Sequence, residues 1–411
     1  MLVDNDLVVF ANDWGADPTS KHQLIRRLAK ENRVLWVEAA GMRTPKLSST
    51  SDLRRLATKA RSFFRPARRV GERFHVYAPP AIPLPHVPAV RAVNAALYGW
   101  TLRREMHRAG MKDESLLWIY VPHVAPLIRR VPRRGLVYHC VDRWSAFEGF
   151  NAELMTRWEA EVCRRADVVF ASAQDLAERC AQHSSNVHYV PHGVDHSHFA
   201  SALADGPLPE DLRPVPGPRI GFFGLLHEWV DLDLIGELAD RLPYSFVLIG
   251  ATDRDLTPLT RRKNVIHLGR KPYDTLPSYC RGFDAAIVPF RASTLTQSVN
   301  PIKLREYAAA GLPIVSSDLP EVRRCSDIAA IARTADEWVT ALRAAVERGQ
   351  QAAARHEQSL RVQREDWLAV SERVSGLVND ALARRGAEHS AGPSAPARSA
   401  TPEWSTGAHF R

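Results

Sequence analysis

Lys303 and Glu306 stand three residues apart in the run NPIKLREYAAAGLPIVSSD, residues 300–318. On a helix that spacing puts both side chains on one face. The run carries the signals for a helix. Asn300 suits an N-cap, and Pro301 suits a first helical turn. Lys303, Leu304, Arg305, Glu306 and the alanines favour helix, and Gly311 suits a left-handed end cap. LPIVSS then reads as a short buried strand. Free N–H groups and the dipole make a helix start attractive to phosphate. A cation there and a carboxylate one turn deeper suit a nucleotide. Lys303 would hold a diphosphate and Glu306 the ribose hydroxyls, with Asn300 at the helix mouth. The plain alternative is an amphipathic surface helix with an ordinary ion pair.

The stretch resembles the nucleotide-sugar site of GT-B glycosyltransferases: an acidic residue, then A-x-G-x-P-V/I-V, then a small polar turn. Glu306, Ala310, Gly311, Pro313, Ile314 and Val315 fill those places. The NP-x-K-x-x-E-Y form is similar to the subgroup that includes teichuronic-acid and xanthan-type exopolysaccharide transferases. Many retaining members carry a second glutamate eight residues before Glu306, and here that place is Ser298. The resemblance therefore leaves inversion and retention open. It covers roughly residues 5–385, most densely 283–322.

These residues need a scaffold, and length and composition bound it. A chain of 411 residues implies two or three domains, each able to bury a core. No apolar run reaches the length of a membrane span. The start, MLVDNDLVVFANDW, does not read as a signal peptide. Five cysteines (Cys140, Cys163, Cys180, Cys280, Cys325) without CxxC spacing point to a reducing cytosol and away from zinc or disulfides. Residues 1–150 hold 25 Lys and Arg against 13 Asp and Glu, about +12, which leaves about −3 for the rest of the +9 total. A basic half implies an anionic partner.

The first half alternates strand and helix. Leu7 to Ala11 reads as a buried strand, HQLIRRLAKEN as a helix capped by Thr19 or Ser20, and RVLWVEAAG as a second strand. Parallel sheets bind ligands at the carboxyl ends of their strands. Asp13, Trp14 and His22 should therefore border a cleft on the acceptor side. His22 could touch an acceptor or simply face solvent; a similar histidine occurs in the resembling transferases. Residues 52–70 are basic, with Arg54, Arg55, Lys59 and Arg61 around Phe63 and Phe64. That suits either docking on an anionic membrane surface or a solvated helix. No zinc-finger or RRM pattern occurs, so nucleic acid is not expected. LLWIYVP and LVYHCVD read as further strands, the latter ending at Asp142. An inverting transfer needs a base for the acceptor hydroxyl, and Asp142 is the candidate. It could equally be a turn or cap aspartate.

NVHYVPHGVDHSHF (186–199) resembles the family's strand-to-linker signature, and 205–218 is a Pro-rich linker. RIGFFG then ends in Gly224, where backbone can approach a phosphate. The sequence is not GxGxxG, so dinucleotide redox binding is not supported. Glu228, Trp229 and Asp231 stand where many relatives place an Arg–Lys pair, which shifts the phosphate grip to Lys303. The resemblance places the nucleobase beside Arg270, Lys271 and Pro272. Thr294 and Gln297 in the loop 291–299 offer neutral hydrogen bonds to the donor.

The expected fold is α/β; GT-B, two Rossmann-like domains facing each other across a cleft. Residues 1–204 form the acceptor domain, 205–218 the linker and 219–365 the nucleotide-sugar domain. Residues 366–385 form a helix crossing back, and 386–411 a disordered tail. The resemblance implies a hexosyltransferase, cytoplasmic and peripheral to the cell membrane. It would pass a sugar from a nucleotide-diphospho-sugar to a lipid-linked or envelope glycan hydroxyl, with no metal or other cofactor. The competing readings are a sugar-nucleotide epimerase or phosphorylase on the same fold, and a non-catalytic glycan- or membrane-binding scaffold.

Overall fold

The structure is a computed structural model and describes residues 1–15, 17–38, 66–80 and 88–390. Its strands run mostly as apolar stretches with no polar alternation. Val8 to Ala11 and Leu116 to Ile119 are wholly buried. Such strands must be covered on both faces, which is the property of parallel sheets wrapped by helices. The first sheet holds β1 (Asp6–Ala11), β2 (Arg33–Glu38), β3 (Arg68–Arg69), β4 (Phe74–Tyr77), β5 (Ser115–Ile119), β6 (Arg133–Cys140), β7 (Val168–Ala171) and β8 (Val187–Tyr189). Its order is β3-β4-β2-β1-β5-β6-β7-β8, parallel except at the β3–β4 edge. The second holds β9 (Arg219–Phe223), β10 (Ser245–Ile249), β11 (Val265–His267), β12 (Ala285–Val288), β13 (Ile314–Ser317) and β14 (Ala329–Ala332), in the order β11-β10-β9-β12-β13-β14. Each sheet reverses its winding once, between β1 and β5 and between β9 and β12. Ligands of such folds sit outside the strand ends at that reversal.

The chain passes between the halves twice, and the two passages run side by side. Val194 N–H donates to the Glu365 carbonyl at 2.9 Å, and Trp367 N–H donates to the Val194 carbonyl at 3.0 Å. Gly193 is required there, since a Cβ would stand 2.9 Å from the Glu365 carbonyl oxygen. The last helix, Trp367–Ser390, then returns to the first sheet. Trp367, Val374, Val378 and Ala381 join that sheet's core. The helix continues past Gly386, where the sequence composition suggested disorder. The sequence reading also missed β4. Of the basic stretch 52–70, Arg68 and Arg69 form the short edge strand β3 rather than part of a helix.

A buried polar cluster joins the halves near these passages. Glu321 is 1 % exposed, Arg305 3 % and Asn300 4 %. Glu321 Oε1 accepts the Gln174 N–H at 2.7 Å, and its Oε2 accepts the Tyr189 hydroxyl at 2.7 Å and the Asn300 amide at 3.0 Å. The Asn300 amide also donates to the Ser172 carbonyl at 3.0 Å, and its Oδ1 accepts from Arg305 at 2.9 Å. Ser298 bonds Asp175. Gln174, Tyr189, Ser172 and Asp175 belong to the first half and the others to the second. A buried network of this kind holds only while every member is satisfied. Glu321→Ala strands the Gln174 amide and the Tyr189 hydroxyl, at about 1–3 kcal/mol each. An earlier urea unfolding midpoint is the expected result.

Candidate functional site: the gap at the strand ends

Gly224 follows β9 at the winding reversal, with φ of 144°. Lys303 lies against it, and a Cβ on Gly224 would stand 2.4 Å from Lys303 Cε. The neighbouring Gly250 follows β10 with φ of 149°, and a Cβ there would come within 1.8 Å of the Gly224 carbonyl oxygen. Only glycine fits either place. The helix Ile302–Ala309 points its start at this floor with no side-chain cap. Its seat is fixed by Tyr307, whose hydroxyl accepts the Phe223 N–H at 2.8 Å. Ile302 packs against the core of the first half, so the helix start lies where the two halves meet. Lys303 Nζ sits 5.3 Å above the Phe223 ring and 3.8 Å from Glu306 Oε2. Glu306 is 4 % exposed, and that oxygen has no hydrogen-bond partner. Burial raises its carboxyl above the usual carboxylate range, while Lys303 and His198 pull it partly back. A ligand hydroxyl would satisfy the oxygen, and a phosphate would fit the lysine and the helix start.

Asp142 lies just past β6 on the opposite side of the gap, with Lys21 Nζ 3.2 Å from its Oδ2. Lys21 is itself buried, donates to Asn12 Oδ1 at 3.0 Å, and lies 5.1 Å above the Trp144 ring. Its ammonium holds the Asp142 carboxylate at the strand end. His22 is next to it and 1 % exposed. Its Nδ1 accepts the Thr19 N–H at 3.1 Å, so a neutral ring carries its proton on Nε2, which is buried without a partner. Burial first, then Arg26 and Lys21, push its pKa down to about 4.

The fold and the second half's sequence now agree on a kind of protein. Residues 217–348 match the family described as Glycosyl transferases group 1. This part of the chain is a glycosyl transferases group 1 domain. A Bacillus subtilis (strain 168) protein, TuaH, named as a candidate teichuronic acid biosynthesis glycosyltransferase, is 28% identical over 229 residues. That alignment spans 52% of this chain and 57% of the relative, so the match reaches little more than half the length of either. Among solved structures, sucrose-phosphate synthase of Thermosynechococcus elongatus superposes with a TM-score of 0.68 at 13% identity, over 92% of this chain and 100% of that one. Anabaena HepE in complex with UDP-glucose gives 0.63 at 16% identity, over 91% and 99%. At such identities the likeness carries the fold alone, and that fold is GT-B.

Within the group 1 domain, Lys303 and Glu306 share a helix face as their spacing implied, and Gly224 lies against Lys303. Asn300 does not cap the helix or face a ligand. Pro301 holds the cap position, and the Asn300 amide group is consumed by the buried cluster. Arg270 pairs with Asp17 of the first half at 2.6 Å, and Lys271 pairs with Asp211 of the linker at 2.7 Å. Pro272 begins the turn before Tyr273, to whose ring His198 stacks at 4.9 Å. Thr294 and Gln297 are exposed on their loop. Asp231 caps the helix Leu232–Arg241, its Oδ1 accepting the Leu234 N–H at 3.1 Å.

In the first half, Asp13 is exposed and accepts the Gly15 N–H at 2.7 Å. Trp14 is packed 4.4 Å from Phe74 and 5.2 Å from His22, with Arg26 at 5.0 Å over its ring. It roofs His22, which therefore neither faces solvent nor reaches an acceptor in this arrangement. Arg54, Arg55, Lys59, Arg61, Phe63 and Phe64 lie outside the described residues. Sequence reasoning missed Lys21, whose partner is 121 residues away, and Glu321, whose partners are all distant in the chain. Among the described residues no group of three or more His, Cys, Asp or Glu gathers as metal ligands. No described helix is long and apolar enough to cross a membrane.

Buried histidines that stay neutral set a pH dependence, His22, His123 and His139 among them. Burial pushes His123 down to about 4 and His139 to about 3, alongside His22 at about 4. The unfolded chain binds their protons from about 6.5, the folded chain only well below it. Their contribution to stability is complete above about 6.5 and is lost as pH falls toward 4. A tenfold difference in proton affinity between the folded and unfolded chain corresponds to about 1.4 kcal/mol. The expected result is a falling melting temperature across that window, with a shallower slope in His123→Phe.

Proposed function

We propose that this chain is a glycosyltransferase that takes its sugar from a nucleotide-diphospho-sugar. The observation that carries the reading is the buried Glu306 carboxylate, with an oxygen that no hydrogen bond reaches, one turn below Lys303 and an uncapped helix start, within a group 1 domain. In this reading the Glu306 oxygen without a partner accepts a ribose hydroxyl. Lys303 and the helix N–H groups take the diphosphate above the Gly224 floor. As the glycosidic bond breaks, negative charge grows on the leaving diphosphate. A fixed cation and fixed N–H dipoles stabilise that charge without reorganising. They would do so with no divalent ion, and the donor enters as a co-substrate.

The acceptor hydroxyl belongs on the opposite side, at the ends of β1 and β6. In this reading Asp142 takes its proton, with Lys21, itself held by Asn12, steadying the carboxylate. The teichuronic-acid name attached to the Bacillus relative, together with the basic first half, supports a lipid-linked or cell-envelope glycan as acceptor. The enzyme would then work at the inner face of the membrane.

A thermal-shift screen with UDP-, GDP- and ADP-sugars identifies the donor. Isotope-labelled donor then tests transfer, since a scaffold releases no nucleotide and an epimerase needs no acceptor. Lys303→Ala and Glu306→Ala should each weaken nucleotide binding about 10- to 100-fold in calorimetry, the scale of a hydrogen bond to a charged group. Unchanged affinity in both removes the donor site. Asp142→Asn should lower turnover about 100- to 10,000-fold while sparing donor affinity. Near-normal turnover removes its role as base.

A further inference from the structure

The helix Pro88–Arg108 is apolar on both sides. Its inner face, with Ala95, Tyr98, Leu102 and Met106, lies in the core of the first half. Its outer face should then be polar, as on an ordinary surface helix. It is not. Ala89, Ala92, Val93, Ala96 and Trp100 are exposed and fall on one stripe by helical spacing, and no Asp or Glu occurs from 88 to 102. Val93 is 54 % exposed and Trp100 59 %, the largest exposures of bulky apolar side chains among the described residues. The stripe then turns basic. Arg103 and Arg104 continue the same face, and the Arg104 guanidinium lies 5.8 Å over the Trp100 ring. Arg130, also exposed, adjoins it through a hydrogen bond from Arg103 to its carbonyl at 3.4 Å. Of the acids nearby, Glu105 is buried and engaged with Arg108 at 2.8 Å, and Asp113 sits 3.4 Å from His107.

We infer that the outer face of Pro88–Arg108 docks on the surface of an anionic lipid bilayer. The helix would lie in the interface, with Val93 and Trp100 entering the acyl boundary and Arg103, Arg104 and Arg130 meeting the phosphates. A tryptophan beside arginines suits that boundary, where one side is apolar and the other charged. Charge selects this occupant over a second copy of the chain. An isologous contact sets the stripe against itself, and the stripe holds no carboxylate to meet the arginines. An anionic bilayer neutralises them. The helix is distinct from residues 52–70, and the inference rests on the proposed lipid-linked acceptor only for its purpose.

The test is flotation of the full chain with vesicles of phosphatidylglycerol and, separately, of phosphatidylcholine, with binding of UDP-, GDP- and ADP-sugars measured on the same samples. Wild type should float with the anionic vesicles only. Arg103→Gln with Arg104→Gln should lower the partition coefficient about 25-fold, since each arginine near an anionic surface contributes about a fivefold factor. Val93→Ser with Trp100→Ser should abolish flotation while leaving nucleotide affinity intact. All of these side chains are exposed, so the variants should fold. Failure of wild type to float, or flotation unchanged in the Val93/Trp100 variant, overturns the inference. A dimer in sedimentation that the same variant dissociates overturns it in favour of self-association. Lost nucleotide binding by wild type would instead strike the proposed donor site, independently of the vesicle result.

Discussion

A carboxylate taken out of water must be given cations or donors, or it will hold a proton. Glu306 is given only part of that set. Lys303 stands 3.8 Å from an oxygen that no hydrogen bond reaches, and burial raises the carboxyl's proton affinity. A purely structural glutamate would be expected to be fully satisfied. The surrounding structure serves to hold this unsatisfied one in place. Tyr307 fastens the helix to β9 through a backbone amide, and Gly224 makes room for the lysine stem. The local deficit is tolerable because the helix is anchored elsewhere, on the buried cluster of Arg305, Asn300 and Glu321.

That cluster also decides how the two halves can move. At the root, buried groups from both halves satisfy one another, and separating them would strand several at once. At the mouth, the Arg270–Asp17 pair is more than half exposed on both sides. Exposed pairs of this kind contribute about 0–1 kcal/mol and are screened by salt. The halves are therefore joined firmly at the passages of the chain and loosely across the opening. Separating that pair costs little, while the buried cluster keeps the register of the two strand-end surfaces.

Much of this was legible from sequence because it is local. The apolar runs gave the strands, and strand–helix alternation gave two parallel sheets. Helix spacing put Lys303 and Glu306 on one face. What was misread depends on contacts between distant parts. Asn300 has the chemistry of a cap, and its own stretch offers nothing against that role. Its amide donates to Ser172 and Glu321, to which no local pattern points, and only Arg305 lies in its own stretch. Lys21 was passed over for the same reason, since an isolated lysine at a helix start looks solvated until Asp142 is folded onto it. Arg270 looked free for a ligand because Asp17 is 253 residues away. The interface between halves is where local propensity and final role part company.

The distribution of charge fits one course of events. Cations are concentrated where anions would arrive: Lys303 at the helix start for a diphosphate, and the arginines beside Trp100 for lipid phosphates. The first half carries the excess, about +12 over residues 1–150. A surface potential of that sign would hold the first half against an anionic membrane and leave the second half, near neutral, free to exchange a small soluble donor. Long-range attraction is screened within roughly 8 Å at physiological salt. Apolar insertion would then be needed to turn a loose encounter into residence, and the stripe through Val93 and Trp100 would supply it on the same half as Asp142. An acceptor carried by the bilayer would thus reach the side of the gap that lacks the nucleotide, and the donor would enter from water on the other.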